Sequence, residues 1–138
     1  MVFEITRSYH FSASHVIAGH PKCGNMHGHN YNLEVTLHSE DLDDQGMVMD
    51  FGELDQCMGA LLDIVDHRFL ISKNDLLLYQ ELGSHFEVRG MICLELERTT
   101  AECIAKWFFD SLSEDLGSMV QEVKIWETAR SSATYKHS

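Results

Sequence analysis

Between Tyr31 and His38 the chain alternates without a break: Tyr31, Leu33, Val35 and Leu37 are apolar or aromatic, while Asn32, Glu34, Thr36 and His38 are polar. A period of two suits a β-strand with one buried and one wetted face, and no helix sorts its side chains that way. The same period occurs upstream, where Phe3, Ile5 and Arg7 alternate with Glu4 and Thr6, and Tyr9 and Phe11 carry it on. Residues 16–26 lie between the two segments and contain Gly19, Pro21, Gly24 and Asn25, all turn formers. The two strands are expected to pair as an antiparallel hairpin across this loop.

Two later stretches carry the helical period. Phe51, Leu54, Cys57, Met58, Leu61, Leu62 and Val65 recur at i, i+3, i+4 spacing, with Asp50 ahead of them as N-cap and Glu53 as its capping-box partner. This predicts an amphipathic helix that ends near Asp66-His67. Thr99 with Glu102 reads as a second capping box, opening a helix whose apolar face is Ile104, Trp107, Phe108 and Leu112. Met91 to Glu97 reads as a further strand, and Val123, Ile125 and Glu127 alternate in a last one. Residues 72–90 carry no clear pattern beyond Leu76-Leu77-Leu78. The order strand, strand, helix, strand, helix, strand predicts one α+β domain with helices on one face of an antiparallel sheet.

Composition narrows the partners. At 138 residues the chain is long enough to bury most of its apolar surface in one domain. It has no apolar run near the roughly 20 residues that cross a bilayer. Its start, Met1-Val2-Phe3-Glu4-Ile5, lacks the layout of a signal peptide, so the expected compartment is the cytoplasm. Cys23, Cys57, Cys93 and Cys103 form no CxxC pair, and free thiols are expected. A net charge of −12 argues against broad contact with nucleic acid or an anionic membrane.

The hairpin gains chemical meaning from its histidines. It brings His15, at the end of the first strand, close to His27 and His29 at the start of the second. Side chains alternate along a strand, so His27 and His29 point to one face, and Gly28 between them has no side chain to crowd a ligand. Three neutral imidazoles suit zinc and leave a fourth position open, which is the build of a catalytic site. Cys23 in the loop has two readings. It is either a fourth ligand that closes the site, or a base or nucleophile whose pKa the metal and imidazoles lower.

Other residues also carry paired readings. Asp66-His67 is either a favourable imidazolium at a helix C-terminus or a carboxylate orienting an imidazole that moves protons. Glu127, between Trp126 and Thr128, is either a solvated carboxylate or an acceptor for a heterocycle with paired N–H donors. His20, His38, His85 and His137 show no partner pattern and read as surface residues. Cys57, Cys93 and Cys103 fall within regular elements and read as core residues.

Several of these segments occur together and in order: Phe11-Ser12-Ala13-Ser14-His15, Cys23-x₃-His27-Gly28-His29-Asn30-Tyr31, Gly46-Met47-Val48-Met49-Asp50-Phe51, Asp66-His67 and Trp126-Glu127-Thr128. In this the chain resembles the 6-pyruvoyltetrahydropterin synthase / 6-carboxytetrahydropterin synthase family, from about Phe11 to Tyr135. The resemblance implies that residues 1–138 form a single domain of the tunnelling fold, a four-stranded antiparallel sheet with two helices on one face. Three subunits would join sheets into a barrel, and two trimers would stack into a homohexamer with sites at subunit interfaces. The substrate would be 7,8-dihydroneopterin triphosphate. His15, His27 and His29 would hold zinc against the substrate's side-chain hydroxyls. Cys23 would be the proton-abstracting base, Asp66 and His67 a relay for a second proton, and Glu127 the anchor of the pterin ring. Thr99 and Thr100 match positions that border the pterin pocket.

Within the family, the 6-carboxy enzymes typically place the cysteine four residues before the first histidine of the HGH motif, and the pyruvoyl enzymes use a longer gap. Cys23 to His27 is the short form. The expected activity is therefore that of a carbon–carbon lyase, a 6-carboxytetrahydropterin synthase. Such an enzyme releases acetaldehyde and triphosphate and feeds synthesis of 7-deazaguanine nucleosides such as queuosine in tRNA. The alternatives are the pyruvoyl enzyme, a phosphorus–oxygen lyase, and a non-catalytic protein that binds a pterin or a metal. The chain departs from the bacterial Pro-Thr-x-Glu-Asn pattern at Thr99-Thr100-Ala101-Glu102-Cys103, and residues 72–90 follow no family pattern.

Overall fold

The computed structural model describes residues 1–79 and 90–138. The expectations that fall on residues 80–89, His85 among them, lie outside the described residues. Among the described residues six strands and two main helices follow one another: β1 (Phe3–His15), β2 (His27–Ser39), α1 (Phe51–Val65), β3 (Arg68–Ser72), β4 (Met91–Leu94), α2 (Ala101–Leu116), β5 (Val120–Thr128) and β6 (Ser131–Lys136). They form one sheet in the order β4-β3-β1-β2-β5-β6.

The hairpin is present over its whole length, with Phe3 opposite Ser39 at one end and His15 opposite His27 at the other. β2 pairs antiparallel with β5, and β5 with β6, so four strands are antiparallel as expected, but the fourth is β6 and not the strand at Met91, which pairs parallel with its neighbour. Two short strands extend it: β3 lies parallel to β1, and β4 parallel to β3. The sequence reading had assigned a strand to Met91–Glu97. The ladder ends at Leu94 opposite Ser72, and beyond it Glu95 and Glu97 reach Lys73 Nζ at 3.1 Å each.

Alternation along the strands decides which face is covered. Phe11, Tyr31, Leu33, Val35, Leu37, Val123 and Ile125 are buried, while Ser8, His10 and Asn32 on the other face are exposed. Leu54, Met58 and Val65 of α1 and Ile104, Phe108 and Leu112 of α2 close over the buried face. Phe11 stacks on Tyr31 with centroids 4.7 Å apart, and Phe108 leans on Phe11 at 5.6 Å. Each fully buried side chain of this size contributes about 1.5–3 kcal/mol. The two helices thus sit on one face, and the opposite face is open in the single chain.

The helix starts follow the sequence at one end and correct it at the other. Asp50 caps α1, its Oδ1 accepting the Gly52 N–H at 2.6 Å. The cap of α2 is Thr100, whose Oγ1 accepts the Cys103 N–H at 3.3 Å, rather than Thr99. Thr99 is buried and its hydroxyl already donates to the Val16 carbonyl at 3.1 Å, so it is not free to cap. A second correction concerns Cys93, which is exposed because β4 is the edge of the sheet. Cys57 and Cys103 are half-buried, and the four cysteines are free thiols as expected. Among the described residues no helix is long and apolar enough to cross a membrane.

Candidate active site

The hairpin register sets His15 directly opposite His27 and Ala13 opposite His29. All three imidazoles therefore lie on the covered face, at the end of the apolar stripe that runs through Phe11 and Tyr31. Their ring centroids are 4.5, 4.9 and 5.1 Å apart. One ligand nitrogen from each falls within 4.8 Å of the other two, which makes this a group able to hold a metal ion.

Backbone carbonyls fix the tautomers. His15 Nδ1 lies 2.6 Å from the Thr99 carbonyl, and His27 Nδ1 lies 2.6 Å from the Asn25 carbonyl. A carbonyl only accepts, so in both rings Nδ1 carries the proton and Nε2 keeps a free lone pair. Metal-binding histidines are commonly oriented by this kind of outer bond. Burial, the largest cause, pulls His15 down to a pKa of about 4, and the neighbouring His27 and His29 lower it further against the Thr99 bond. His29 is likewise lowered, again mainly by burial. Both are neutral at pH 7, as ligands must be.

These residues pass a direct test of fit for a cation. His15 Nε2 is buried without a hydrogen-bond partner, and it belongs to the group of three converging nitrogens. An orphaned buried acceptor of this kind needs an explanation, and a metal ion supplies one. Cys23 is not a member of the metal-holding group among the described residues. It sits half-buried in the loop between β1 and β2.

Asp66 and His67 close α1. The Asp66 carboxylate accepts the Ser12 N–H at 2.9 Å and approaches His67 Nδ1 at 3.0 Å. The Ser12 bond is the main cause that holds Asp66 below the usual carboxylate range, and His67 adds to it. His67 has φ +60°, a left-handed conformation that a non-glycine residue adopts only when its surroundings impose it. Here Ser12 imposes it, since its carbonyl accepts the His67 N–H at 2.6 Å. A cavity of about 510 Å³ is lined by Ser12, Ser14, His29, Asn30 and His67, so His67 of the pair and one histidine of the group border the same space.

Glu127 stands near the end of β5, where the register with β6 shifts between Trp126 and Thr128. Its charge raises the pKa of both His29 and Tyr31, which places it beside the histidine group. With Glu102 and Ser131 it lines a hollow of about 280 Å³ at the start of α2. Glu102, expected only as a capping partner, joins Glu127 there because the β5–β6 turn brings Ser131 and Ser132 to the start of α2. Thr99 and Thr100 both lie at the junction before α2. Thr99 offers its carbonyl to His15, and Thr100 caps the helix.

A family model described as 6-pyruvoyl tetrahydropterin synthase matches residues 4–138. The chain is 37% identical to the 6-carboxy-5,6,7,8-tetrahydropterin synthase of Aquifex aeolicus over 99% of each chain. It is 33% identical to the protein of the same name from Haemophilus influenzae, over 98% of this chain and 99% of that one. Among solved structures, the 6-pyruvoyl tetrahydropterin synthase of Caenorhabditis elegans is similar with a TM-score of 0.74 and 29% identity, covering 100% of this chain and 97% of its own. An uncharacterized protein from Wolinella succinogenes has a TM-score of 0.85 at 21% identity, covering 100% and 99%, and speaks for the fold alone. The expected α+β fold of the tunnelling type is borne out.

Proposed function

Because this chain belongs to the 6-pyruvoyl tetrahydropterin synthase family, we propose that it is a zinc-dependent 6-carboxytetrahydropterin synthase. It converts 7,8-dihydroneopterin triphosphate to 6-carboxy-5,6,7,8-tetrahydropterin and releases acetaldehyde and triphosphate. The observation that carries this reading is the group of three converging imidazoles with the buried, unpartnered Nε2 of His15. The short step from Cys23 to His27 and the names of the Aquifex and Haemophilus relatives support the carboxy product.

His15, His27 and His29 would hold the zinc, which would supply Lewis-acid chemistry toward a substrate hydroxyl. Cys23 takes one proton from the substrate. Asp66, kept ionised by the Ser12 N–H, accepts from His67 Nδ1 and so leaves His67 Nε2 to pass the second proton. Glu127 binds the paired N–H donors of the pterin ring. Thr99 and Thr100 border the ring with their backbone, since their hydroxyls are held by Val16 and Cys103.

The working form is a homohexamer of two trimers, with the open sheet faces lining a barrel and each site built between subunits. The enzyme works in the cytoplasm, with residues 1–138 acting as one domain. It feeds synthesis of 7-deazaguanine nucleosides such as queuosine and makes no nucleic-acid or membrane contact of its own.

A second reading is favoured by the description of the family model and by the Caenorhabditis structure. The pyruvoyl enzyme eliminates triphosphate and leaves the carbon chain intact. Incubating the zinc-loaded protein with 7,8-dihydroneopterin triphosphate and analysing products by mass separates the two. Acetaldehyde with a carboxypterin is the expected result, and a pyruvoyl product moves the assignment to the second reading. No turnover overturns both and leaves a non-catalytic binding protein.

A further inference from the structure

His20 has no part in any motif of the sequence, yet in the fold it organises the loop that carries Cys23. Its Nδ1 lies 2.9 Å from the Cys23 N–H and 3.2 Å from the Lys22 N–H. Both are donors, so Nδ1 is unprotonated and the ring proton is on Nε2. The imidazole thereby plays the part of an Asn or Asp side chain in an Asx turn, accepting backbone N–H groups two and three residues ahead. His20 is exposed, as expected of a surface histidine, yet two donors converge on one of its ring nitrogens.

The rest of the loop closes around this contact. The Ile17 N–H donates to the Cys23 carbonyl at 2.7 Å, the His20 N–H to Ile17 at 3.1 Å, and the Gly24 N–H to His20 at 2.9 Å. Both backbone groups of Cys23 are therefore held, the N–H by the His20 ring and the carbonyl by Ile17. Among the described residues its thiol alone makes no hydrogen bond. The start of the loop is tied to the segment before α2, where Thr99 Oγ1 donates to Val16 at 3.1 Å and Arg98 Nη2 to Ala18 at 2.5 Å. Thr99 also holds His15, so a continuous set of bonds joins the Cys23 backbone to the histidine group.

We propose that His20 is a positioning residue: its ring nitrogen fixes the backbone of Cys23 and so sets where the Cys23 thiol stands. This rests on the reading of Cys23 as the base. A base acts only from a fixed place, and a displacement of about 1 Å can lower a rate by as much as roughly a hundredfold.

The test uses full-length, zinc-loaded protein carrying His20→Ala, His20→Asn or Cys23→Ala. Turnover of 7,8-dihydroneopterin triphosphate is measured beside the rate at which iodoacetamide alkylates Cys23. The mass of the Cys23 peptide keeps Cys57, Cys93 and Cys103 out of that count. His20→Ala is expected to lower kcat by roughly tenfold or more, with KM and zinc content unchanged and the alkylation rate altered severalfold. His20→Asn, whose side-chain oxygen accepts the same N–H groups, is expected to recover most of both. An unaltered kcat and alkylation rate in His20→Ala overturns the proposal, as does failure of asparagine to restore them. If His20→Ala does not fold, the asparagine variant decides alone, by near-normal kcat and alkylation or by their loss. If Cys23→Ala turns over normally, the reading of Cys23 as the base falls by itself, and the alkylation rates still report whether His20 holds the loop.

Discussion

His15 is buried deeply enough to resist taking up a proton, and this sets the pH behaviour of the site. His15 is held at a pKa of about 4, against 6.5 for an ordinary histidine, chiefly by burial. Below pH 6.5 the unfolded chain takes up a proton at this residue that the folded chain refuses, so stability falls as pH falls. The loss should run from pH 6.5 down to about 4, where the folded form also protonates. Denaturant titrations of the metal-free protein between pH 7 and pH 4 are expected to show this slope, and a flat profile speaks against a buried neutral His15. At this scale the sequence showed the histidines clearly, because a strand period puts His27 and His29 on one face whatever else the chain does. It did not show why they stay neutral. The Thr99 carbonyl that orients His15 belongs to a distant segment, and the two donors that converge on His20 are set by loop backbone, which carries no residue pattern.

The β1–β2 hairpin and both helices were legible because each has one covered face and therefore a clean period. β3 and β6 were not. Phe69, Leu70, Ile71 and Ser72 of β3 are all buried, and a strand covered on both sides loses its alternation. β6 is a short, mostly polar edge strand, with only Ala133 half-buried. The loop between β1 and β2 makes its own prediction. Gly24 donates to the His20 carbonyl, and a Cβ at Gly24 would overlap that same oxygen. Gly24→Ala should therefore open the loop while β1 and β2 keep their register. Zinc binding near that of the unaltered chain with strongly reduced turnover is the expected outcome, read by metal analysis and product formation. Loss of zinc in this variant means that the loop and the histidine group are one unit.

Across the whole molecule, an acidic chain of net charge −12 places a cluster of three imidazoles at one end of a sheet whose far face is open. Helices cover the other face, and the histidine group continues their core stripe, so the rigid part of the fold supports that group directly. The elements that differ in kind, Cys23 on a loop and Asp66-His67 at a helix end, are held by backbone bonds to residues near the same hairpin. The account turns on one division: three histidines bind the metal and the cysteine does not. Replacing zinc by cobalt(II) tests it most directly, because a thiolate on cobalt gives a strong near-ultraviolet charge-transfer band and nitrogen ligands do not. The absorption spectrum of the cobalt protein should lack that band and should be the same in Cys23→Ala. A thiolate band that disappears with Cys23 contradicts the account.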